Sequence, residues 1–544
     1  MIGHRSKPPS VFFERTNVNL RPKLLLATDR VLSASVVALV FGSAACFGGA
    51  IGWFRPAAAA LVFLLVGAKL TQLLLNGCVP VFRSPLFLLW LLAIGVALLQ
   101  LVPVPPTLAR WLSPRAQQIY SYGNLPALAR TDLPTVRLDD PAVIRSPATL
   151  DRAATLRWLV GAALGMGIFW AVGHYADRLG RLYLVWGCVV AAFVLNAGLG
   201  LVQIVGQTAG MYGFLQPGKS PFWAPAEADL LETPGAAVLR RLGPSPKASA
   251  TVPSDNRALE QIALFPDRPY LFGTMMGGTG GFLALGALAL PLALAIVLHV
   301  ISPRGSRESL AYRLKHTGLG GLAVLLVVML VVSSCLVGLM AGPWLCAPFA
   351  LGMAAVGLPR ASGSRALSIG LTCLLLASLG LGASLAGLWP LVAGSRLAVA
   401  PVPWDFARSL WTECLAIQRD FPLLGTGLGS FGAIYPYVKT HDASSTTAMS
   451  SLLQCAVESG AAGLGLLALA VLWCVCRLPV CLKHVGSAER TLAYGLIGAG
   501  LSFSLWSIVH WTIELPAVAI AASALLGICN RWLAGGTDLF LERG

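Results

Sequence analysis

The sequence predicts an all-α protein: a polytopic transmembrane helix bundle of about 12 spans with both termini in the cytoplasm. Of the 544 residues, 56% are hydrophobic and 11% are charged, whereas soluble domains carry about 25% charged residues. A chain with so little charge suits a surface that faces lipid, where charged side chains are costly. The apolar residues form runs of membrane-spanning length, and Lys and Arg are concentrated in connections between those runs.

Twelve apolar runs are candidates for membrane-spanning helices. A helix needs about 20 predominantly apolar residues to cross roughly 30 Å of hydrocarbon. Runs that meet or approach this length lie at 31–54, 57–77, 85–103, 155–175, 182–206, 272–301, 317–340, 342–358, 366–393, 460–481, 491–511 and 515–531. An even number of crossings places both termini on the same side of the membrane.

The distribution of Lys and Arg predicts which side that is, because cytoplasmic connections are enriched in these residues. The N-terminal arm, 1–30, is basic, and dense later clusters lie at 304–315 and 360–365. We therefore predict an N-in/C-in topology, with a cytoplasmic arm at 1–30, a transmembrane domain at 31–531 and a cytoplasmic tail at 532–544. Three long outer loops follow from it, at 104–154, 207–271 and 394–459, the last between spans 9 and 10.

The net charge of +16 would suggest a nucleic-acid partner in a soluble protein. Here the basic residues lie beside apolar runs, so we interpret the charge as a topology signal and expect no nucleic acid as partner. The twelve cysteines lie mostly within apolar runs and lack the paired spacing of zinc sites, so we expect no metal. The absence of an internal repeat and the scarcity of ionisable residues at mid-span disfavour a transporter.

The outer loop 394–459 carries the densest group of candidate functional residues. Within 422–431, the alternating residues Gly425, Gly427 and Gly429 allow the backbone to turn sharply and to approach a ligand closely. This stretch, the glycine turn, is not a P-loop because no Gly-Lys-Ser/Thr follows. It is not a dinucleotide-binding fingerprint either, because no strand precedes it. It is either a structural turn or the edge of a ligand site.

A short helix is predicted at 448–459. Its polar side would be formed by Ser450, Gln454 and Glu458, which are spaced four residues apart. Two interpretations remain open. The helix could lie flat on the membrane with its polar side in water, or it could form a lid over a polar cavity.

Together these residues resemble the O-antigen ligase and polymerase-like membrane glycosyltransferases. Members of that family show Pro-Leu-x-Gly-x-Gly-x-Gly-x-Phe, then Tyr-Pro, then Leu-Gln followed by Glu and Gly. The stretches that match in order and spacing are 422–431, Tyr435-Pro436, Leu453-Gln454, and Glu458 with Gly460. Similar stretches also lie at 99–105, 146–149 and 510–517, so the resemblance touches most of the chain.

The resemblance implies a multi-pass protein of the bacterial inner membrane that transfers or polymerises glycan at the periplasmic face. The implied donor is an undecaprenyl-diphosphate-linked saccharide, one of the polyprenyl-diphosphate-linked glycans. The implied acceptor is a lipid core sugar, a growing glycan or a protein hydroxyl, with membrane lipids as neighbours. No cofactor, nucleotide sugar or metal is implied. Such a reaction needs a base for the acceptor hydroxyl, cations for the leaving diphosphate and a groove for the lipid.

The chain departs from the family pattern at three places. By register with Gln454, the family's histidine falls on Met449 and the asparagine after it falls on Ser450. Two arginine-bearing family motifs align with 277–279 and 340–342, which contain no arginine. Methionine is unable to accept a proton. Other residues have therefore taken over these roles, or the activity is lost.

For an active protein, we predict His441 as the base and Glu458 as an orienting acid. The predicted substrate-binding residues are Arg408, Lys439, Gln454 and Ser450. Plainer interpretations also fit: a solvated loop histidine at His441, surface charges at Arg408 and Lys439, and a wetted charge at the start of a helix for Glu458.

Two other functions remain as alternatives. A catalytically inactive relative would bind lipid-linked glycan as a scaffold or regulator, and a transporter ranks third. Two further details are open as well. Lys69, well inside the second run, either snorkels to the surface or pairs with a carboxylate. His510 and Glu514, four residues apart, either pair with each other or make an interfacial hydrogen bond.

Overall fold

The computed structural model describes residues 20–46, 54–76, 84–104, 146–206, 271–272, 275–276, 278–301, 319–358, 365–386, 404–438, 447–485, 487–510 and 515–534. Within these ranges lie fourteen helices: α1 (Leu20–Ala45), α2 (Phe54–Asn76), α3 (Pro85–Leu101), α4 (Arg152–Tyr175), α5 (Leu179–Gly206), α6 (Gly278–Ile301), α7 (Leu319–Leu345), α8 (Ala347–Gly357), α9 (Arg365–Leu385), α10 (Trp404–Asp420), α11 (Phe431–Val438), α12 (Ser451–His484), α13 (Ser487–Val509) and α14 (Pro516–Leu533). Two antiparallel pairs of short strands complete this part of the chain: β1 (Pro103–Val104) with β2 (Ser146–Pro147), and β3 (Leu271–Phe272) with β4 (Met275–Met276).

Every predicted apolar run overlaps a helix of the described residues. Ten of the described helices are long and apolar enough to cross a membrane. Two more apolar helices are shorter: α3 has 17 residues and α8 has 11. The prediction of a multi-pass helical membrane protein is therefore confirmed, whereas the count of twelve spans stays a prediction.

Helix α6 forms the centre of the bundle. Of its most apolar stretch, 94% is buried inside the protein, and it packs against α5, α7, α8 and α13. Sixteen of its 24 residues are Ala, Leu or Gly, and a helix that is apolar on all sides suits a position enclosed by other helices or by lipid. Small residues let the neighbours come close: a Cβ placed on Gly498 would lie 3.1 Å from Cβ of Pro291 in α6.

Helices α7 and α9 are in backbone contact at two glycines. A Cβ placed on Gly338 would lie 2.0 Å from the carbonyl oxygen of Leu379. A Cβ placed on Gly382 would lie 2.0 Å from the carbonyl oxygen of Cys335. Such close approach requires small residues, and the van der Waals contact it permits is a main source of helix association within a membrane.

The Gly382→Ala variant is expected to lose about 1–3 kcal/mol of stability, because the added methyl group forces α7 and α9 apart. Gly380→Ala is the matched control on the same helix, since a Cβ there meets nothing within 4 Å. Thermal unfolding in detergent should show a lower midpoint for Gly382→Ala and no decrease for Gly380→Ala. Equal midpoints would contradict the close packing of these two helices.

One end of the bundle, which we call the arginine end, is held by charged side chains. Arg181 at the start of α5 bridges Asp29 of α1 and Asp177. Arg531 at the end of α14 donates to the carbonyl oxygens of Gly173 and His174, each at 3.4 Å. The first part of α1 and the last part of α14 therefore lie at the same end.

Lys69 in α2 follows neither predicted alternative. Its side chain is buried, so it does not snorkel to the surface. Its ammonium donates to Oε1 of Gln72 at 2.8 Å, one helical turn away, instead of to a carboxylate. An amide oxygen on the same helix thus satisfies part of this buried charge.

Candidate functional site

The stretches that carry the family resemblance meet at the end of the bundle opposite the arginine end, which we call the turn end. Gln100, at the end of α3, is their common partner and is fully buried. Its Nε2 donates to the carbonyl oxygens of Leu424 at 2.6 Å and Glu458 at 2.9 Å, and its Oε1 accepts from the Leu428 amide at 3.0 Å. Its carbonyl accepts from the Thr149 amide at 3.1 Å. One side chain therefore joins the glycine turn to α12.

The glycine turn docks on a break in α12 at Gly460, where φ is 60° and ψ is −154°. The break removes the helical partners of the carbonyls of Val457 and Glu458. These carbonyls accept instead from the amides of Thr426 at 2.9 Å and Gly427 at 3.0 Å.

The amides beyond the break are satisfied in the same way. The amide of Ala461 donates to the carbonyl of Pro422 at 2.8 Å, and that of Ala462 donates to the carbonyl of Leu423 at 3.1 Å. The glycine turn thus replaces hydrogen bonds that an unbroken α12 would make within itself.

The carboxylate of Glu458 lies beneath the glycine turn and is only 4% exposed. One oxygen accepts from the amide of Gly429 at 2.8 Å. The other accepts from the amide of Phe431 at 3.2 Å and from Nε2 of Gln454 at 3.1 Å. The Phe431 amide is the first of α11, so the carboxylate also neutralises the positive end of that helix.

The predicted helix at 448–459 is the first part of α12. Ser450 is its N-cap, and its hydroxyl accepts from the amide of Leu453 at 3.2 Å. Ser450, Gln454 and Glu458 are all buried. The predicted polar stripe therefore exists but does not face water, which excludes the flat interfacial helix.

Met449, at the position that the resemblance assigns to a histidine, packs against apolar side chains in a turn of the backbone. Its φ of 50° is the only positive φ outside glycine among the described residues. Its side chain packs against an apolar cluster, which we call the loop core. The loop core consists of Leu150, Leu410, Cys414, Ile417, Phe421, Phe431, Ile434, Tyr435, Ala448 and Val457. This packing explains why an apolar residue is tolerated there.

The six predicted site residues have different outcomes. Ser450, Gln454 and Glu458 are brought together at the start of α12. The side chain of Arg408 is exposed on α10, a helix that packs against α12. Lys439 and His441 lie outside the described residues. Their roles stay predictions.

Two residues at the turn end were not predicted as site residues. The sequence did contain an indication of a role for Gln100, since it is the one polar side chain in the otherwise apolar helix α3. The other is His510, which directly follows α13. Its carbonyl accepts from the amide and hydroxyl of Ser451 at 3.4 and 3.3 Å. Its predicted partner Glu514 lies outside the described residues.

The loop core also fixes two titratable groups. The hydroxyl of Tyr435 donates to Oε2 of Glu413 at 2.6 Å, and burial together with this carboxylate raises the pKa of Tyr435. Burial raises the pKa of the neighbouring Cys414 thiol to about 12. Only a very small fraction of this thiol is ionised near neutral pH, and the thiolate is the reactive form.

We therefore expect Cys414 to resist alkylation in the folded protein. At pH 8, modification by iodoacetamide should be at least about 100-fold slower than in protein unfolded with detergent and urea, because a raised pKa and burial both suppress reaction. Mass spectrometry of the peptide that contains Cys414 measures the rate. Rapid modification of the folded protein would show that the loop core is open.

The described residues contain no group of three His, Cys, Asp or Glu side chains that could hold a metal ion. Among the described residues, the turn end combines backbone amides, the carboxylate of Glu458 and the imidazole of His510, with Arg408 exposed on the adjacent helix α10. Such groups can orient hydroxyls and anions and can exchange protons.

No protein-family model matches the chain, and no curated protein matches it. The function is therefore inferred from the geometry of the turn end and from the residues that carry the resemblance.

Proposed function

We propose that the protein is an O-antigen-ligase-like membrane protein that transfers or polymerises glycan from an undecaprenyl-diphosphate-linked donor. One observation carries this proposal. The stretches that resemble the family form one hydrogen-bonded cluster, although 358 positions separate Gln100 from Glu458. This is the arrangement expected if these stretches build a single site.

The proposed topology has twelve spans, with the arginine end in the cytoplasm and the turn end in the periplasm of a bacterium. The enrichment of Lys and Arg in cytoplasmic connections supports this orientation. The short helix α8 is counted as a span, because Phe349 near its start packs on Trp506 close to the turn end, whereas Gly357 at its other end accepts from the hydroxyl of Ser368 at the start of α9. The end of α8 and the start of α9 are then on one side.

In the proposed reaction, the glycine turn and the start of α12 form the framework of the site. Both carboxylate oxygens of Glu458 accept hydrogen bonds from this framework, so the residue positions the turn. Arg408 is the proposed cation for the leaving diphosphate, because it is exposed on α10, which packs against α12, and matches an arginine that the family carries before the glycine turn. Lys439 and His441 are the further cation and the base that the sequence predicts.

A second candidate function is binding of a lipid-linked glycan without transfer, as a scaffold or regulator. The packing of Met449 into the loop core favours it, since the position that the resemblance assigns to a base carries an apolar contact. The two functions share the ligand and differ only in the chemistry.

The test uses purified protein in lipid nanodiscs with an undecaprenyl-diphosphate-linked oligosaccharide and a glycolipid acceptor. Release of undecaprenyl diphosphate, followed by mass spectrometry, is the expected result. Arg408→Ala should lower the rate roughly 10²-fold, as loss of one charge-stabilising group typically does. Arg419→Ala, an exposed arginine on the same helix, is the matched control.

A rise of the unfolding temperature with the oligosaccharide, without any release, would favour the binding function. Absence of both release and binding, across donors of different glycan structure, would refute the proposal.

A further inference from the structure

His510 occupies a defined place at the turn end. Its carbonyl accepts hydrogen bonds from the amide and the hydroxyl of Ser451, the first residue of α12. Ser451 follows Ser450 directly, and Gln454 and Glu458 lie one and two turns further along α12. His510 thus joins the end of α13 to the element on which the glycine turn docks.

The imidazole ring of His510 is held on two sides. It stacks on Trp506, one turn earlier in the chain, with ring centroids 5.2 Å apart and planes 12° from parallel. On another side it lies against the backbone of Gly280 at the start of α6, where a Cβ would come within 2.2 Å of Cε1 and 2.7 Å of Nε2. Trp506 is buried, whereas His510 is partly exposed. The ring is therefore held in one orientation in a residue that is partly exposed.

Its location separates His510 from the other described imidazoles. His174 lies at the end of α4, where Arg531 binds, and His299 lies 6.0 Å from the ring of Tyr183, near Arg181. Both belong to the arginine end. Among the histidine side chains that the structure describes, His510 is the one at the turn end.

Glycan transfer to a hydroxyl requires a group that takes up the hydroxyl proton as the oxygen attacks. We propose that His510 is this base, an inference that rests on the proposed function. The acceptor oxygen forms a bond to the anomeric carbon of the donor, and the bond from that carbon to the diphosphate oxygen breaks. The bonding electron pair leaves with undecaprenyl diphosphate, and the hydroxyl proton passes to an imidazole nitrogen of His510. The oriented, partly exposed ring is suited to this role.

The experiment compares undecaprenyl diphosphate release by the wild-type protein and by His510→Ala, with and without added imidazole. His510→Ala should be at least about 10²-fold slower, the usual contribution of a positioned base. Free imidazole should restore part of the rate, because the variant leaves a space beside Trp506 and Gly280. His510→Gln keeps a planar side chain in that space without a proton-accepting nitrogen, and it should be equally slow. It serves as the second variant if His510→Ala does not fold.

Donor binding is measured in parallel as the rise of the unfolding temperature on adding the lipid-linked oligosaccharide. Both variants should retain it, since the lost step is proton transfer. No release by the wild-type protein would refute glycan transfer, and with it the role of His510, whether or not the donor binds. Release by the wild-type protein with an undiminished rate in either His510 variant would refute only the role of His510, as would a slow His510→Ala that imidazole does not accelerate. Loss of release in His441→Ala, with His510→Gln fully active, would assign the base to His441.

Discussion

Glu458→Ala is expected to detach the glycine turn from α12 and to lower the free energy of unfolding by roughly 3–5 kcal/mol. The substitution leaves the amides of Gly429 and Phe431 and the side-chain amide of Gln454 without their common acceptor. Each buried donor that loses its partner costs about 1–3 kcal/mol, and the three losses are not fully additive. The site is too well buried for bulk water to replace the carboxylate at no cost, since Glu458 is only 4% exposed.

Two measurements report this effect. The unfolding midpoint in detergent should fall, and Cys414 should become accessible to iodoacetamide, because the loop core that buries it includes Phe431. Asp420→Ala, which removes an exposed carboxylate at the end of α10, is the control and should change neither quantity. Glu458→Gln keeps one acceptor oxygen and should be intermediate. A Glu458→Ala protein as stable as Asp420→Ala but deficient in transfer would show that Glu458 acts in the chemistry and not in holding the turn.

The helical class and the positions of the apolar helices could be predicted because they depend on local composition. A run of about 20 apolar residues predicts a helix in a membrane whatever surrounds it. The same reasoning could not predict that α12 continues through Gly460 with a break, or that α8 has only 11 residues. Such features depend on contacts with distant parts of the chain: at the break in α12, the backbone groups are hydrogen-bonded to the glycine turn.

In the candidate site too, local spacing could be predicted from the sequence, whereas contacts between distant parts of the chain could not. The spacing of Ser450, Gln454 and Glu458 predicted one polar face, because helical geometry places residues four apart side by side. It did not reveal that the face is buried, because the covering residues come from the glycine turn. Gln100 was missed as a site residue because its role is defined by contacts with Leu424 and Glu458, which are 324 and 358 positions away.

Gly427→Ala is expected to lower the free energy of unfolding by roughly 3 kcal/mol or more, for two separate reasons. The φ of Gly427 is 114°, a backbone conformation that L-residues with a side chain rarely adopt. A Cβ there would also lie 2.0 Å from Oγ1 and 2.6 Å from Cβ of Thr149. Thr149 is fixed in turn by the hydrogen bond from its amide to the backbone carbonyl of Gln100 and by the hydrogen bond between its hydroxyl and that of Thr155 at 2.7 Å. The clash is therefore not relieved by a simple side-chain rotation.

Gly429→Ala separates these causes, because φ at Gly429 is 79° but the nearest atom to a Cβ, the carbonyl oxygen of Ala154, is 3.0 Å away. This variant should carry the backbone strain of about 1–2 kcal/mol with little steric clash. Gly95→Ala, on α3 with no atom within 4 Å of the added Cβ, should be neutral or slightly stabilising. The unfolding midpoint should be highest for Gly95→Ala, lower for Gly429→Ala and lowest for Gly427→Ala. If the last two variants have the same midpoint, the glycine turn does not pack on Thr149, and residues 146–149 do not belong to the site.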